Sequence, residues 1–221
     1  MDRLGHGFTN QTRRLAGARV QKEYEGLGSF ERAANERACL LHLVGVLPVP
    51  KVLDGDQQTP SLIMAEVDGQ HGQDLMDAGR APEVLRLLGV FLHELQQLSP
   101  ATVPELAGTG AVIVHGDFGP QNVLVDGHRI AAVLDWEFAH VGQTIDDLAW
   151  AEWIVRMHHP EASDAVGELH RGAQLSPDWS VRHGAMLARC HQVMVFCEQN
   201  RQPAGVRLWH ERLRATEAWV E

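Results

Sequence analysis

Apolar and polar residues alternate over Ala18-Arg19-Val20-Gln21-Lys22-Glu23-Tyr24, the period-two pattern of a strand with one buried face. Over residues 30–44 (FERAANERACLLHLV) the apolar positions shift to helical spacing, with Ala33, Leu40, Leu41 and Val44 prominent. Pro48 and Pro50 then break that helix. Two short strands follow at 51–53 and 62–67, separated by the turn-rich DGDQQTP. Beyond Asp68-Gly69 the character changes. Residues 82–98 form a strongly amphipathic helix ended by Ser99-Pro100, and 111–114 is a short apolar strand leading into His115-Gly116-Asp117. From Ile145 the chain reads helical almost to its last residue, with Ser176-Pro177-Asp178 predicting a helix start: a capping serine and a proline at the first helical position. This order predicts an α+β protein of two lobes, a small β-rich lobe over 1–67 and a larger, mainly helical lobe over 68–221.

Composition narrows the class without naming a function. A chain of 221 residues can bury a sizeable core, and its formal charge of −10 argues against a general nucleic-acid binder, which needs basic residues to displace phosphate counterions. The same charge is compatible with a cationic substrate. No apolar run reaches transmembrane length, and the opening MDRLGHGFTN lacks a secretory core, so a cytoplasmic protein without membrane or nucleic-acid partners is expected, as monomer or homodimer. Cys39, Cys190 and Cys197 read as reduced, buried thiols, and the thirteen histidines are mostly scattered singly.

The chemistry concentrates in residues 112–150, VIVHGDFGPQNVLVDGHRIAAVLDWEFAHVGQTIDDLAW. Residues 123–125 and 130–134 are two apolar strands joined by Asp126-Gly127, a two-residue hairpin signal because both turn positions need positive φ. Pairing Val125 with His128 puts Asp135 opposite Phe118 and folds it back beside Asp117 and Asn122. Two carboxylates and an amide gathered in this way suit phosphoryl transfer. One carboxylate can orient an acceptor hydroxyl and accept its proton, while the other and the amide oxygen hold magnesium on the phosphates.

The ordered spacing His-x-Asp-x4-Asn, hairpin, Asp-Trp-Glu resembles the catalytic core of the aminoglycoside phosphotransferase and choline-kinase-like family, whose fold is that of the protein kinases. The resemblance implies Asp117 as catalytic base, Asn122 and Asp135 as magnesium ligands, His115 as a buttress of the loop and Asp147 as its brace. It further implies Lys22 on a strand for the α- and β-phosphates, with Glu36 (or Glu31) on the following helix to position it. Gly5, Gly7 and Thr9 would cover the phosphates, and Met64, Glu66 and Val67 would form the hinge whose backbone meets adenine. ATP, or GTP in its place, and Mg²⁺ are the implied cofactors, and a small-molecule hydroxyl is the acceptor. Glu137, Glu152 and Trp153 are candidate acceptor contacts.

The expected activity is thus a small-molecule O-kinase, aminoglycoside-like in substrate. The alternatives are a kinase for an amino alcohol, sugar or macrolide, or a catalytically silent nucleotide-binding relative. A protein-kinase role is disfavoured by the lack of an Ala-Pro-Glu segment between Asp135 and Asp147. A metallohydrolase reading of His115, Asp117 and His140 lacks further ligands at plausible spacing.

Overall fold

The computed structural model describes residues 10–55 and 58–221. Its first strand, β1 (Asn10–Leu15), turns through Gly17 and Ala18, both at positive φ, into β2 (Arg19–Tyr24). Helix α1 (Ser29–Leu43) and strands β3 (Val52–Asp54) and β4 (Ser61–Ala65) complete an antiparallel sheet in the order β1-β2-β4-β3. Lys22 stands in β2 between Thr12 and Leu62, on an interior strand where its side chain is only 7% exposed. Helix α1 departs from the expected stripe: Leu41 and Val44 are 45% and 43% exposed, and the buried face carries Arg32, Glu36, Cys39, Leu40 and Leu43. That face is polar at its start because its first turns meet charged partners and only its last turns meet apolar core.

The larger part of the chain holds β5 (Gln70–His71), α2 (Gly72–Leu75), α3 (Ala81–Gln96), β6 (Val112–Val114), β7 (Val123–Asp126), β8 (Arg129–Val133) and β9 (His140–Gly142), then the helices α4 (Thr144–His158), α5 (Val166–Ala173), α6 (Trp179–Gln199) and α7 (Pro203–Glu217). Strands β5, β7 and β8 form one small sheet, and β6 pairs with β9. The apolar stripe of α3 (Val84, Leu85, Leu88, Phe91, Leu92, Leu95) is entirely buried in a core that runs continuously from Tyr24 and Leu62 of the sheet to Leu169 of α5. Helices α3 and α5 approach to backbone contact at Gly89 and Gly172, where a Cβ on Gly172 would sit 2.8 Å from the Val90 amide nitrogen. No helix among the described residues is long and apolar enough to cross a membrane.

Two local expectations shift. The hairpin pairs Val125 with Ile130 and Asp126 with Arg129, so its turn residues are Gly127 (φ 60°) and His128, and a bulge between Leu124 and Val125 moves the register once more. Asp126 stays in the strand, where its carboxylate pairs with Arg129 at 3.1 Å. Position 135 therefore lies near Asn122 rather than opposite Phe118, as the Leu134 amide donating to the Asn122 carbonyl at 2.8 Å shows. Helix α6 begins at Trp179, with Asp178 and not Ser176 at its cap, and the Pro177 carbonyl is taken by the Arg182 guanidinium at 2.9 Å.

Helix α4 is buried without a break from Asp147 to Val155, which is why it shows little amphipathic period. One of its faces carries the fully buried Glu152, held by Arg182 at 2.6 and 2.9 Å, Arg156 at 2.9 Å and His170 at 3.0 Å. Burial raises the cost of its charge, but these partners overcome that and hold its carboxyl below the ordinary range. A depressed carboxyl contributes stability above its unfolded pKa of about 4.3 and loses it as pH falls through the folded value. Glu152→Ala, which strands Arg182 in the interior, is expected to cost about 3–5 kcal/mol at neutral pH. The difference from the parent should shrink in acid, as thermal melts at pH 7 and pH 3.5 would reveal.

Candidate active site

Strand β6 delivers the loop that follows it, and Asp147 at the start of α4 fixes that loop by its backbone. The amides of His115 and Gly116 donate to the two Asp147 carboxylate oxygens at 2.6 and 2.9 Å. His115 is buried between Trp136 and Phe118; its Nδ1 accepts from the Asp117 amide at 3.2 Å, which leaves Nε2 to donate to the Leu134 carbonyl at 2.8 Å. Gly116 takes φ 84°, and a Cβ there would lie 3.1 Å from that of Phe138, so the turn needs glycine on both grounds. Arg189 of α6 donates to the Gly116 carbonyl from the other side.

Asp117 emerges from this scaffold with both carboxylate oxygens engaged. Oδ1 accepts from Trp150 Nε1 at 3.0 Å, and Oδ2 accepts from Asn122 Nδ2 at 3.1 Å. The same Asn122 nitrogen donates to the Asp117 carbonyl at 2.8 Å. Burial pushes the Asp117 carboxyl above the usual carboxylate range; the Trp150 bond opposes this and the charge of Asp135 adds to it.

Asp135 sits at φ 70°, a left-handed conformation uncommon for a side-chain-bearing residue, just after β8. It is paired with Lys22, whose Nζ also bonds Glu36 at 2.5 Å, and Tyr24 donates to the same Glu36 oxygen at 2.6 Å. Burial pulls Lys22 down, but Asp135 and Glu36 more than reverse it and hold the ammonium charged. Burial likewise raises Asp135, and Lys22 outweighs it, so the carboxylate stays ionised.

Three residues not singled out in the sequence tie α1 and β1 to the segment after Asp135. Arg32 pairs with Glu137, Asn10 donates to Glu137 at 2.9 Å, and the Asn35 amide reaches the carbonyls of Glu137 and Ala139 at 3.1 and 2.7 Å. Glu137 is thereby a strut between the lobes, with its carboxyl pushed up to about 7 by burial, against Lys22 and with the charges of Asp135 and Glu36. Asn10 is the first residue of β1.

The remaining expected residues are dispersed. Gly5, Gly7 and Thr9 lie outside the described residues. Of the residues expected to form a hinge, Met64 is buried, Glu66 pairs with Arg14 and gives its amide to the Ala18 carbonyl at 2.9 Å, and Val67 follows the end of β4. Glu152 is enclosed by its arginines and histidine. Trp153 is 1% exposed, stacked on Trp150 at 4.5 Å, with its N–H on Thr216 at 2.8 Å. Both, like Glu137, are almost fully buried, and each has its charge or N–H met by partners in the interior.

Asn122 and Asp135 suit magnesium by their donor set. The Asn122 nitrogen is committed to Asp117, which leaves its side-chain oxygen as an acceptor, and the backbone bond from Leu134 to Asn122 brings the adjoining Asp135 into the same neighbourhood. Two hard oxygens, with the other positions left to water and phosphate, are what magnesium takes. No group of three or more His, Cys, Asp or Glu among the described residues could form a closed metal cage.

The sequence profile of the phosphotransferase enzyme family matches residues 2–111 and 106–185. Over 49 residues the chain is 43% identical to hygromycin-B 4-O-kinase of Escherichia coli, a stretch covering 20% of this chain and only 14% of that protein. Among solved structures, the GDP and kanamycin complex of APH(2")-IIIa superposes with a TM-score of 0.77 at 14% identity, over 98% of this chain and 92% of the other. A thermostable APH(4)-Ia mutant in ternary complex with ADP and hygromycin B gives 0.70 at 17% identity, over 99% and 94%. A choline/ethanolamine kinase family protein from Mesorhizobium loti gives 0.71 at 16%, over 99% and 88%. Those likenesses establish the two-lobed, protein-kinase-like fold, and with the profile spanning most of its length the chain belongs to the phosphotransferase enzyme family.

Proposed function

We propose that the protein is an ATP- and magnesium-dependent kinase that phosphorylates a hydroxyl of a small molecule of aminoglycoside type, with residues 1–67 as its nucleotide lobe and 68–221 as its catalytic and acceptor lobe. The observation that carries the reading is the meeting of Asp117 and Asn122 of one loop with Asp135 after β8 and Lys22 of β2 at one place. Asp117 orients the acceptor hydroxyl and takes its proton as the oxygen bonds the γ-phosphorus and the bridge to the β-phosphate breaks. Lys22, held by Glu36, neutralises phosphate oxygens. Asn122 and Asp135 hold magnesium, which supplies positive charge where the leaving diphosphate gains negative charge. The Asp147 carboxylate, the His115 ring and the backbone of Gly116 keep the base in place without touching the reacting atoms.

An amino-alcohol kinase is the second reading, supported by the choline/ethanolamine kinase family likeness. The two acceptor classes share a hydroxyl and a positive charge, in keeping with the acidic chain. The test is ADP or GDP release from Mg-ATP or Mg-GTP on addition of hygromycin B, kanamycin, choline, ethanolamine, a macrolide or a simple sugar. Acceptor-dependent release names the substrate class. Failure to bind either magnesium nucleotide in a calorimetric titration would sink the proposal.

A further inference from the structure

Trp150 is one of six tryptophans and one of five in the apolar cluster of the C-terminal helices, so core packing is its ordinary explanation. Its hydrogen bond is not ordinary. Trp136 gives its indole N–H to the Val133 carbonyl at 3.0 Å, and Trp153 gives its own to the Thr216 hydroxyl at 2.8 Å. Both use neutral acceptors. Trp150 gives its N–H to a carboxylate oxygen, and that oxygen belongs to Asp117. The ring making this bond is also tightly held: it stacks on Trp153 at 4.5 Å with planes 5° apart, meets Trp209 at 6.0 Å, and has the Arg189 guanidinium over it at 5.4 Å. Arg189 in turn grips the Gly116 carbonyl, one residue from Asp117.

From this geometry we propose that Trp150 is a positioning residue for phosphoryl transfer, its clamped indole N–H fixing the plane of the Asp117 carboxylate. The inference rests on the reading of Asp117 as the proton acceptor. A carboxylate bonded at one oxygen swings about its Cβ–Cγ bond. Bonded at Oδ1 by Trp150 and at Oδ2 by Asn122, it is held at both ends, and each oxygen keeps lone-pair capacity for an incoming hydroxyl. The donor is pre-organised because a stacked indole has only two side-chain torsions, and the stack restrains both. The stack reaches Trp209 on α7, a helix beyond the stretch that the family profile matches.

Trp150→Phe keeps the stacked ring and removes the N–H. Loss of a charge-assisted hydrogen bond predicts a kcat lower by roughly ten- to a hundred-fold, with the KM for Mg-ATP unchanged. Trp209→Phe, which trims the more distant ring and leaves the closer Trp150–Trp153 stack and the bond to Asp117 in place, should lower the melting temperature and leave kcat near the parent value. In an Asp117→Asn background the Trp150→Phe change should add little, since the residue acts through the carboxylate. An acceptor-independent readout is the indole N–H region of a ¹H–¹⁵N spectrum. The Trp150 resonance, identified by its absence in Trp150→Phe, should move upfield in Asp117→Asn and be slow to exchange in the parent. A kcat within twofold of the parent in Trp150→Phe, equal losses in Trp150→Phe and Trp209→Phe, or an indole resonance indifferent to Asp117→Asn would each overturn the inference. Full activity in Asp117→Asn would instead bring down the reading on which it rests.

Discussion

Asp117→Asn is expected to lower turnover by roughly two to four orders of magnitude while leaving Mg-ATP affinity near the parent value. The substitution is nearly isosteric, and its consequences follow from what surrounds the group. Both carboxylate oxygens accept from N–H donors, Trp150 at 3.0 Å and Asn122 at 3.1 Å. An amide placed there turns its NH₂ toward one of those donors and can satisfy only the other, so one hydrogen bond is lost. Against that loss, the amide relieves the burden of a buried charge, the cause that pushes the Asp117 carboxyl upward. The two effects oppose each other, and the folded state should survive with a melting temperature within a few degrees of the parent. What does not survive is the capacity to take a proton. Steady-state ADP release in the presence of an acceptor, beside a calorimetric nucleotide titration, separates the two. Unchanged turnover would remove Asp117 from the chemistry.

How far the sequence discloses such a site depends on the distance between its parts. The segment from His115 to Asn122 spans eight residues, and a hairpin returns Asp135 to it, so local rules bring the trio together. The register assigned to that hairpin is off because the turn rule takes Asp-Gly as the pair of turn residues, whereas Asp126 keeps its strand partner Arg129 and only Gly127 adopts the left-handed φ. Lys22 and Glu36 are legible by a different route, since alternation places one in a strand and helical spacing places the other on a helix. Periodicity is silent on partners. Arg32 and Asn35 look like any polar residues on a helix, yet they face Glu137 and the carbonyls that follow it more than a hundred positions away. Strand β1 escapes notice because Asn10–Leu15 is mostly polar and its pattern is that of an edge strand, exposed at several positions. Glu152 and Trp153, expected to meet an acceptor, are in a helix buried all round, where sequence gives no sign of which side faces the cleft.

Asp135→Ala should fail in a different way, losing nucleotide rather than turnover alone. In the proposed magnesium site Asp135 is the carboxylate that accompanies Asn122, and it also pairs with Lys22 across the lobes. Its removal leaves Lys22, 7% exposed, with Glu36 as its direct ion pair and Glu137 as a further negative charge, and would leave Asn122 as the one neutral ligand of the proposed site. One amide oxygen holds magnesium poorly, since the ion prefers charged oxygen and gives up water reluctantly. Loss of several kcal/mol of charge stabilisation corresponds to a fall of roughly three or more orders of magnitude in kcat/KM. The decisive contrast is between nucleotide titrations with magnesium and with EDTA. In the parent, magnesium should tighten binding. In Asp135→Ala the two titrations should coincide, while Asp135→Asn, which restores an oxygen without its charge, should fall between them. The stability of the variant answers a separate question: a lysine deprived of one buried partner costs about 3–5 kcal/mol when nothing replaces it, but here Glu36 remains at 2.5 Å, so the loss should be well below that range. A variant that kept the full magnesium effect would show that Asp135 serves only to hold Lys22, and the metal would then have to be assigned to other oxygens.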